Sequence, residues 1–160
     1  MLDFLIFLKS ILEDLNNMNL LYLETEKEYK NYYINTLAKK KIYTKEKIRV
    51  YFSPNTFYHA FFETTLSHKD SFSKERAKYM NLIKSTIENP TACHWGWDRE
   101  SKTYSPNSTV SLYYENFIVI LCYRINKDRI LKANFKTCYW KINMYSIKKA
   151  PIWKIEDLKI

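Results

Sequence analysis

The sequence predicts an α+β fold, with N-terminal helices packed on one face of a roughly four-stranded antiparallel sheet. Three observations carry this expectation. Apolar side chains recur at helical spacing through the first half of the chain. From residue 91 the period shortens to two, the signature of strands. Short polar pairs then punctuate the strand-like runs where tight turns would fall.

The elements follow in order. Leu5, Leu8, Ile11, Leu12 and Leu15 line one face of a helix over residues 2–17, closed by Asn16 and Asn17, which are poor helix-interior residues. A second helix spans 24–40, with Tyr29, Tyr32, Tyr33 and Leu37 among charges. It ends in Lys39, Lys40 and Lys41, a run that the macrodipole favours and that reads as a solvated helix end. Ile48, Val50 and Phe52 alternate with Arg49 and Tyr51 as a short strand. Ser53-Pro54 stops it and offers an N-cap and a first helical residue for a helix through Phe57, Tyr58, His59, Phe61 and Phe62. Ser73 caps the clearest helix, 73–88, whose stripe is Ala77, Met80, Ile83 and Ile87. Asn89-Pro90 ends it, since proline disfavours helical geometry in the residue before it. The stripe is expected to bury against the strand 117–123.

Val110, Leu112 and Tyr114 alternate before the apolar run 117–123, with Glu115-Asn116 as the turn of a hairpin. Asn126-Lys127-Asp128 makes the next turn, and 130–135 and 137–142 supply one or two further strands. No internal repeat, linker or low-complexity tract interrupts residues 1–160, so the expectation is one domain with residues 1–46 as a helical N-terminal layer.

Composition excludes several functions. One glycine, Gly96, stands where average usage of ~7% would give about eleven. Rossmann fingerprints and P-loops need several glycines, because backbone must approach phosphate without a Cβ in the way, so neither fits. The net charge of +9 comes mostly from lysine, 21 against 5 arginines, in a chain also rich in asparagine, isoleucine and tyrosine. Part of that bias is what an A- and T-rich coding sequence would produce. A net positive field still draws polyanions, and nucleic acid is the leading partner. Cys93, Cys122 and Cys138 have no paired spacing, so reduced, mostly buried thiols and a cytoplasmic setting are expected. No run of 18 apolar residues occurs, and the N-terminus lacks the basic leader and cleavage site of a signal peptide, so no membrane association is expected.

Two groups of residues could carry chemistry. His59 and His68 flank Glu63, and histidine is the proton carrier of neutral pH. His68 lies in a polar segment with Lys69 and Asp70 that no core would take. His59, in an aromatic stretch, reads equally as a core-edge histidine. Arg76, one turn into its helix, opposes the macrodipole unless it meets an anion or pairs with Asp70 or Glu63. In the second group, a regular strand puts Lys132, Asn134 and Lys136 on one face. A one-residue irregularity instead groups Lys136, Thr137 and Tyr139. Either face could hold a phosphate, with Tyr139 or Trp140 stacking a base; an edge strand guarded by lysines is an equal reading. Cys93 and His94 point to opposite faces of a strand and have no third neighbour, so no metal or other cofactor is expected.

Taken together, a histidine segment, the helix "SFSKERAKYMNLIKSTIENP" and the late strand "KANFKTCYW" resemble the phage-associated barnase–EndoU–colicin–RelE-type (BECR) nuclease domains. The resemblance covers roughly 47–145 and rests on an "F-x-x-x-R-x-x-x-x-x-x-I-x-x-T-x-x-x-P" helix and an "F-K-T-x-Y" strand. It implies a metal-independent, toxin-like endoribonuclease of a phage or mobile element. The implied catalytic residues are His68, with His59 as alternative, and Arg76, Lys136, Thr137 and Tyr139. Lys69, Lys132, Asn134 and Trp140 are the expected nucleic-acid contacts. The implied partners are RNA, with tRNA one candidate, and a cognate inhibitor or host protein. The chain departs from the pattern in having no second histidine beyond His94 in its C-terminal half. A tyrosine, Glu63 or Glu115 would have to carry the second proton. The competing reading is a non-catalytic phage-type anti-defence or inhibitor protein that binds a nucleic acid or nucleoprotein.

Overall fold

The structure is a computed structural model that describes residues 2–64 and 69–158, with the side chains of 11, 14–17, 69–70 and 106–108 outside that description. Helix α1 (Leu2–Asn17) is followed by α2 (Glu26–Tyr33), which runs into a π-helical turn, Ile34–Ala38. Strands β1 (Ile42–Tyr43) and β2 (Arg49–Tyr51) precede α3 (Thr56–Phe61). The small hairpin β3 (Phe62–Thr64) and β4 (Lys69–Phe72) leads to α4 (Lys74–Ala77) and α5 (Leu82–Glu88). Strands β5 (Ala92–Asp98), β6 (Thr103–Tyr114), β7 (Phe117–Ile125) and β8 (Leu131–Trp140) form a meander, and α6 (Tyr145–Lys148) follows.

The fold is α+β, but the expected four-stranded antiparallel sheet under N-terminal helices is overturned. The main sheet has six strands in the order β1-β2-β8-β7-β6-β5, and its β2–β8 pair is parallel. Val50 pairs with Ala133 and Tyr51 with Asn134. Such a pairing needs a long crossover, and the whole α3-to-β7 segment supplies it. Local pattern cannot reveal a partner 80 residues away, which is why β2 read as an isolated strand.

The helices are also distributed differently. The apolar residues Leu2, Phe4, Leu5, Ile6, Phe7, Leu8 and Leu12 of α1 are all exposed, so this helix is not a layer on the sheet. The α2 helix is packed, through Tyr29 and Tyr33, and its start is fixed by a capping box between Thr25 and Glu28. The other covering helices, α3 and α5, come from the middle of the chain.

The predicted helix 73–88 is two helices. Ser73 does cap it, accepting from the Arg76 amide at 3.3 Å. At 78–82 the bonding tightens to i→i+3, as in Met80 N–H to the Ala77 carbonyl at 3.0 Å and Leu82 N–H to the Tyr79 carbonyl at 2.9 Å. This rewinding lets Tyr79, Met80, Ile83 and Ile87 all be buried, while the Asn81 amide oxygen accepts from the Tyr32 hydroxyl. Helix α5 packs on β6 and β7 as expected. Ser53 and Pro54 form a turn instead of an N-terminus, and α3 begins at Thr56, whose amide donates to the Ser53 carbonyl.

The hairpin turn at Glu115-Asn116 is as predicted, with Tyr114 opposite Phe117 and Glu115 at φ 51°. The segments 130–135 and 137–142 are one strand, β8, carrying an irregularity: Ile120 faces Thr137 but Leu121 faces Phe135, leaving Lys136 as the extra residue. Gly96 sits where β5 shifts register against β6, and a Cβ there would lie 2.6 Å from the Thr109 carbonyl oxygen.

The larger of two hydrophobic clusters among the described residues joins both halves of the chain. Phe57, Phe61, Tyr33, Phe52 and Phe135 form a nest of edge-on and stacked rings, with centroids 5.0–6.3 Å apart. This aromatic packing seats α3 against β8 and thereby positions the site.

Candidate functional site

The bulge at Lys136 sets the geometry. Before it, Ala133 and Phe135 are buried in the core while Lys132 and Asn134 take the opposite face. After it, Cys138 resumes the buried face, and Thr137 and Tyr139 take the outer one. A regular strand would have turned Thr137 and Tyr139 inward. Strand β2 pairs with β8 only at 133–134, so beyond the bulge its flank is taken by α3 and α4.

A cleft of about 440 Å³ opens there, lined by Thr56, His59, Arg76, Lys136, Thr137 and Tyr139. His59 is exposed on the last turn of α3. Arg76 reaches across from α4, and its Nη2 donates to Thr137 Oγ1 at 3.4 Å. Its Nε is buried with no partner. The neighbouring acid, Glu75, pairs with Lys78 instead, at 2.6 Å. No carboxylate among the described residues pairs with Arg76, so the alternative of a bridge to Glu63 does not hold; the Asp70 side chain lies outside the described residues. Among the described residues, then, the Arg76 guanidinium lines the cleft without a carboxylate partner. Burial raises the Tyr139 phenol above its ordinary value, so at neutral pH it holds its proton and acts as a donor. Beneath it, burial pushes the Cys138 thiol up to about 12, with Arg76 opposing, so this cysteine is an inert neighbour.

Five of the six predicted catalytic residues therefore meet in one cleft: His59, Arg76, Lys136, Thr137 and Tyr139. His68 lies outside the described residues, as does the side chain of Lys69. Lys132 and Asn134 line an adjoining groove rather than this cleft. Trp140 is turned to the core side, where it stacks on Tyr79 with centroids 5.8 Å apart, and so does not enter the cleft.

His94 is buried, and its Nδ1 lies 2.7 Å from the Ala150 carbonyl oxygen. A carbonyl only accepts, so this nitrogen carries the proton and the ring serves to anchor the C-terminal segment. Among the described residues no three His, Cys, Asp or Glu side chains gather as a metal site would require. No helix among them is long and apolar enough to cross a membrane.

Sequence reasoning missed Thr56, Tyr51 and Arg124 as lining residues. Thr56 gave no signal, because its position depends on where α3 starts. Arg124, the first charge after the apolar run 117–123, was visible as the point where β7 leaves the core. No family model, curated protein or solved structure matches the chain.

Proposed function

We propose that the protein is a metal-independent endoribonuclease acting by transesterification at the His59–Arg76–Lys136 cleft. The observation that carries this reading is the meeting of a histidine, two cations and three hydroxyls in one concave site, with no acid among its described lining residues. This is the set that RNA cleavage needs. His59 takes the proton from the 2′-hydroxyl. The 2′-oxygen forms its bond to phosphorus, and the bond to the 5′-oxygen breaks with its electron pair. Tyr139 gives its proton to that leaving oxygen, and solvent exchange resets both side chains. The products are a 2′,3′-cyclic phosphate and a 5′-hydroxyl. Arg76 and Lys136 neutralise the charge that develops on the phosphorane oxygens, where such groups contribute most. Thr137, already the acceptor of the Arg76 bond, holds the guanidinium in place.

The alternative of a non-catalytic binder draws on one observation. Among the described residues only one histidine lines the cleft, so the second proton rests on a tyrosine.

The test is incubation of total RNA with the protein in EDTA, with product ends analysed. Cleavage with cyclic-phosphate ends is expected. His59→Ala should lower the rate by roughly 10²–10⁴-fold, the range for a positioned proton carrier. Absence of cleavage of every RNA tried, together with tight binding of a protein or nucleoprotein target, would overturn the enzyme reading in favour of the binder.

A further inference from the structure

A second groove of about 400 Å³ adjoins the cleft and shares Thr56 and Lys136 with it. Its floor is the outer face of β7 and β8, with Cys122, Arg124, Lys132 and Asn134, and its wall is Tyr51 and Ser53. We propose that this groove binds the nucleotides of a single-stranded RNA that flank the phosphate held in the cleft. The RNA assignment rests on the ribonuclease reading above; the single-strand assignment rests on the groove itself.

Charge is the first argument. Arg124, Lys132, Lys136 and Arg76 line the two compartments, and among the described residues neither lining contains an aspartate or glutamate. The ion pairs among the described residues, Lys78–Glu75 and Lys84–Glu88, involve none of the four. Like charges gathered without counter-charges repel one another, and a polyanion laid along them relieves that repulsion. A single phosphate would satisfy only one end, because Lys132 and Lys136 are separated by about 13 Å of extended strand at ~3.3 Å per residue. A chain of phosphates satisfies both.

The second argument is organisation. The Arg49 guanidinium lies 4.6 Å and the Lys132 ammonium 5.5 Å from the centroid of the Tyr51 ring. These contacts hold two basic side chains at the groove wall instead of leaving them to sweep through solvent. Asn134, Ser53 and Thr56 add neutral donors and acceptors suited to base edges and 2′-hydroxyls.

Size selects the strand state. Each compartment has the volume of a small-molecule site. A-form duplex is instead recognised across its outer surface, over ~16 base pairs for dedicated modules. Concave compartments of this size accept splayed nucleotides, and the 2′-oxygen must leave helical geometry to align behind the scissile bond.

The test uses the full chain carrying His59→Ala, so that binding is read without cleavage. Fluorescence anisotropy compares a labelled octaribonucleotide with a hairpin duplex of equal charge and with a glutamate octapeptide, across a salt series. The octamer should bind at least about tenfold more tightly than either competitor. Adding Arg124→Ala and Lys132→Ala should weaken octamer binding and flatten the log–log salt slope by about 1.4, since each phosphate contact on a single strand contributes ~0.7. Arg124→Gln with Lys132→Gln should flatten it equally while keeping side-chain bulk, and melting curves check that each variant is folded. Equal or tighter binding of the duplex or the peptide, or an unchanged slope in folded variants, would overturn the proposal. Failure of the wild type to cleave any RNA while the octamer still binds in this pattern would sink the ribonuclease reading alone.

Discussion

Arg76→Ala removes a guanidinium whose structural bookkeeping is unusually close to zero. Among the described residues its guanidinium makes one long side-chain hydrogen bond, Nη2 to Thr137 Oγ1 at 3.4 Å, of the kind that contributes about 1 kcal/mol or less. Against it stands the buried Nε without a partner, a group that costs about 1–3 kcal/mol to leave unsatisfied. Alanine keeps the backbone amide that donates to the Ser73 cap and is itself the best helix former. Stability should therefore change by no more than about 2 kcal/mol in either direction, and a chain of this length moves about 2–4 °C in Tm per kcal/mol. Activity should behave differently. On the ribonuclease reading, loss of this cation should lower kcat by roughly 10²–10³-fold, as loss of one oxyanion donor does. Arg76→Lys should recover part of that, since it restores charge but not the planar fork. The assay is initial-rate cleavage of a quenched fluorescent oligoribonucleotide in EDTA, alongside a thermal melt of each variant. An unchanged rate with an unchanged melt would remove Arg76 from the chemistry. A Tm drop well beyond ~8 °C would show that the guanidinium is a structural strut and that the stability reasoning fails.

Ile83→Ala should cost roughly 2–5 kcal/mol in urea unfolding, because Ile83 is fully buried beneath β6 and β7 and its loss leaves a cavity; a cost under ~1 kcal/mol would contradict the packing described. Stability should also fall at alkaline pH. Burial pushes the Cys93 and Cys138 thiols up to about 12 and raises the Tyr33 and Tyr123 phenols, so the fold favours their neutral forms. The unfolded chain then releases these protons first, stability is fully present below about pH 9, and each thiol removes it at about 1.4 kcal/mol per pH unit between 9 and 12. Urea midpoints that stay level from about pH 8 to 11 would refute this.

Much of the fold was legible because its signals are local. The Ser73 cap, the Ala77–Met80–Ile83–Ile87 stripe, the Glu115-Asn116 turn and the alternation around Val110 each depend on residues within a few positions of one another. The candidate site residues were legible for another reason: Arg76 is a cation near a helix start, where the macrodipole disfavours it, and Lys136 lies in a segment that can group cations and hydroxyls on one face. The sequence even allowed two registers for 132–140, one grouping Lys132, Asn134 and Lys136 and the other Lys136, Thr137 and Tyr139.

Tertiary structure decided between them. The bulge at Lys136 uses both, turning Lys132 and Asn134 to the groove and Thr137 and Tyr139 to the cleft, and it exists because β7 is regular where β8 has one residue too many. The parallel seating of β2 on β8, the break of the 73–88 helix and the exposure of α1 were equally out of reach of local pattern. Each is a choice of partner between segments far apart in the chain. Local spacing fixes which face of an element is apolar; only packing against the other elements determines what that face meets, and whether it meets anything.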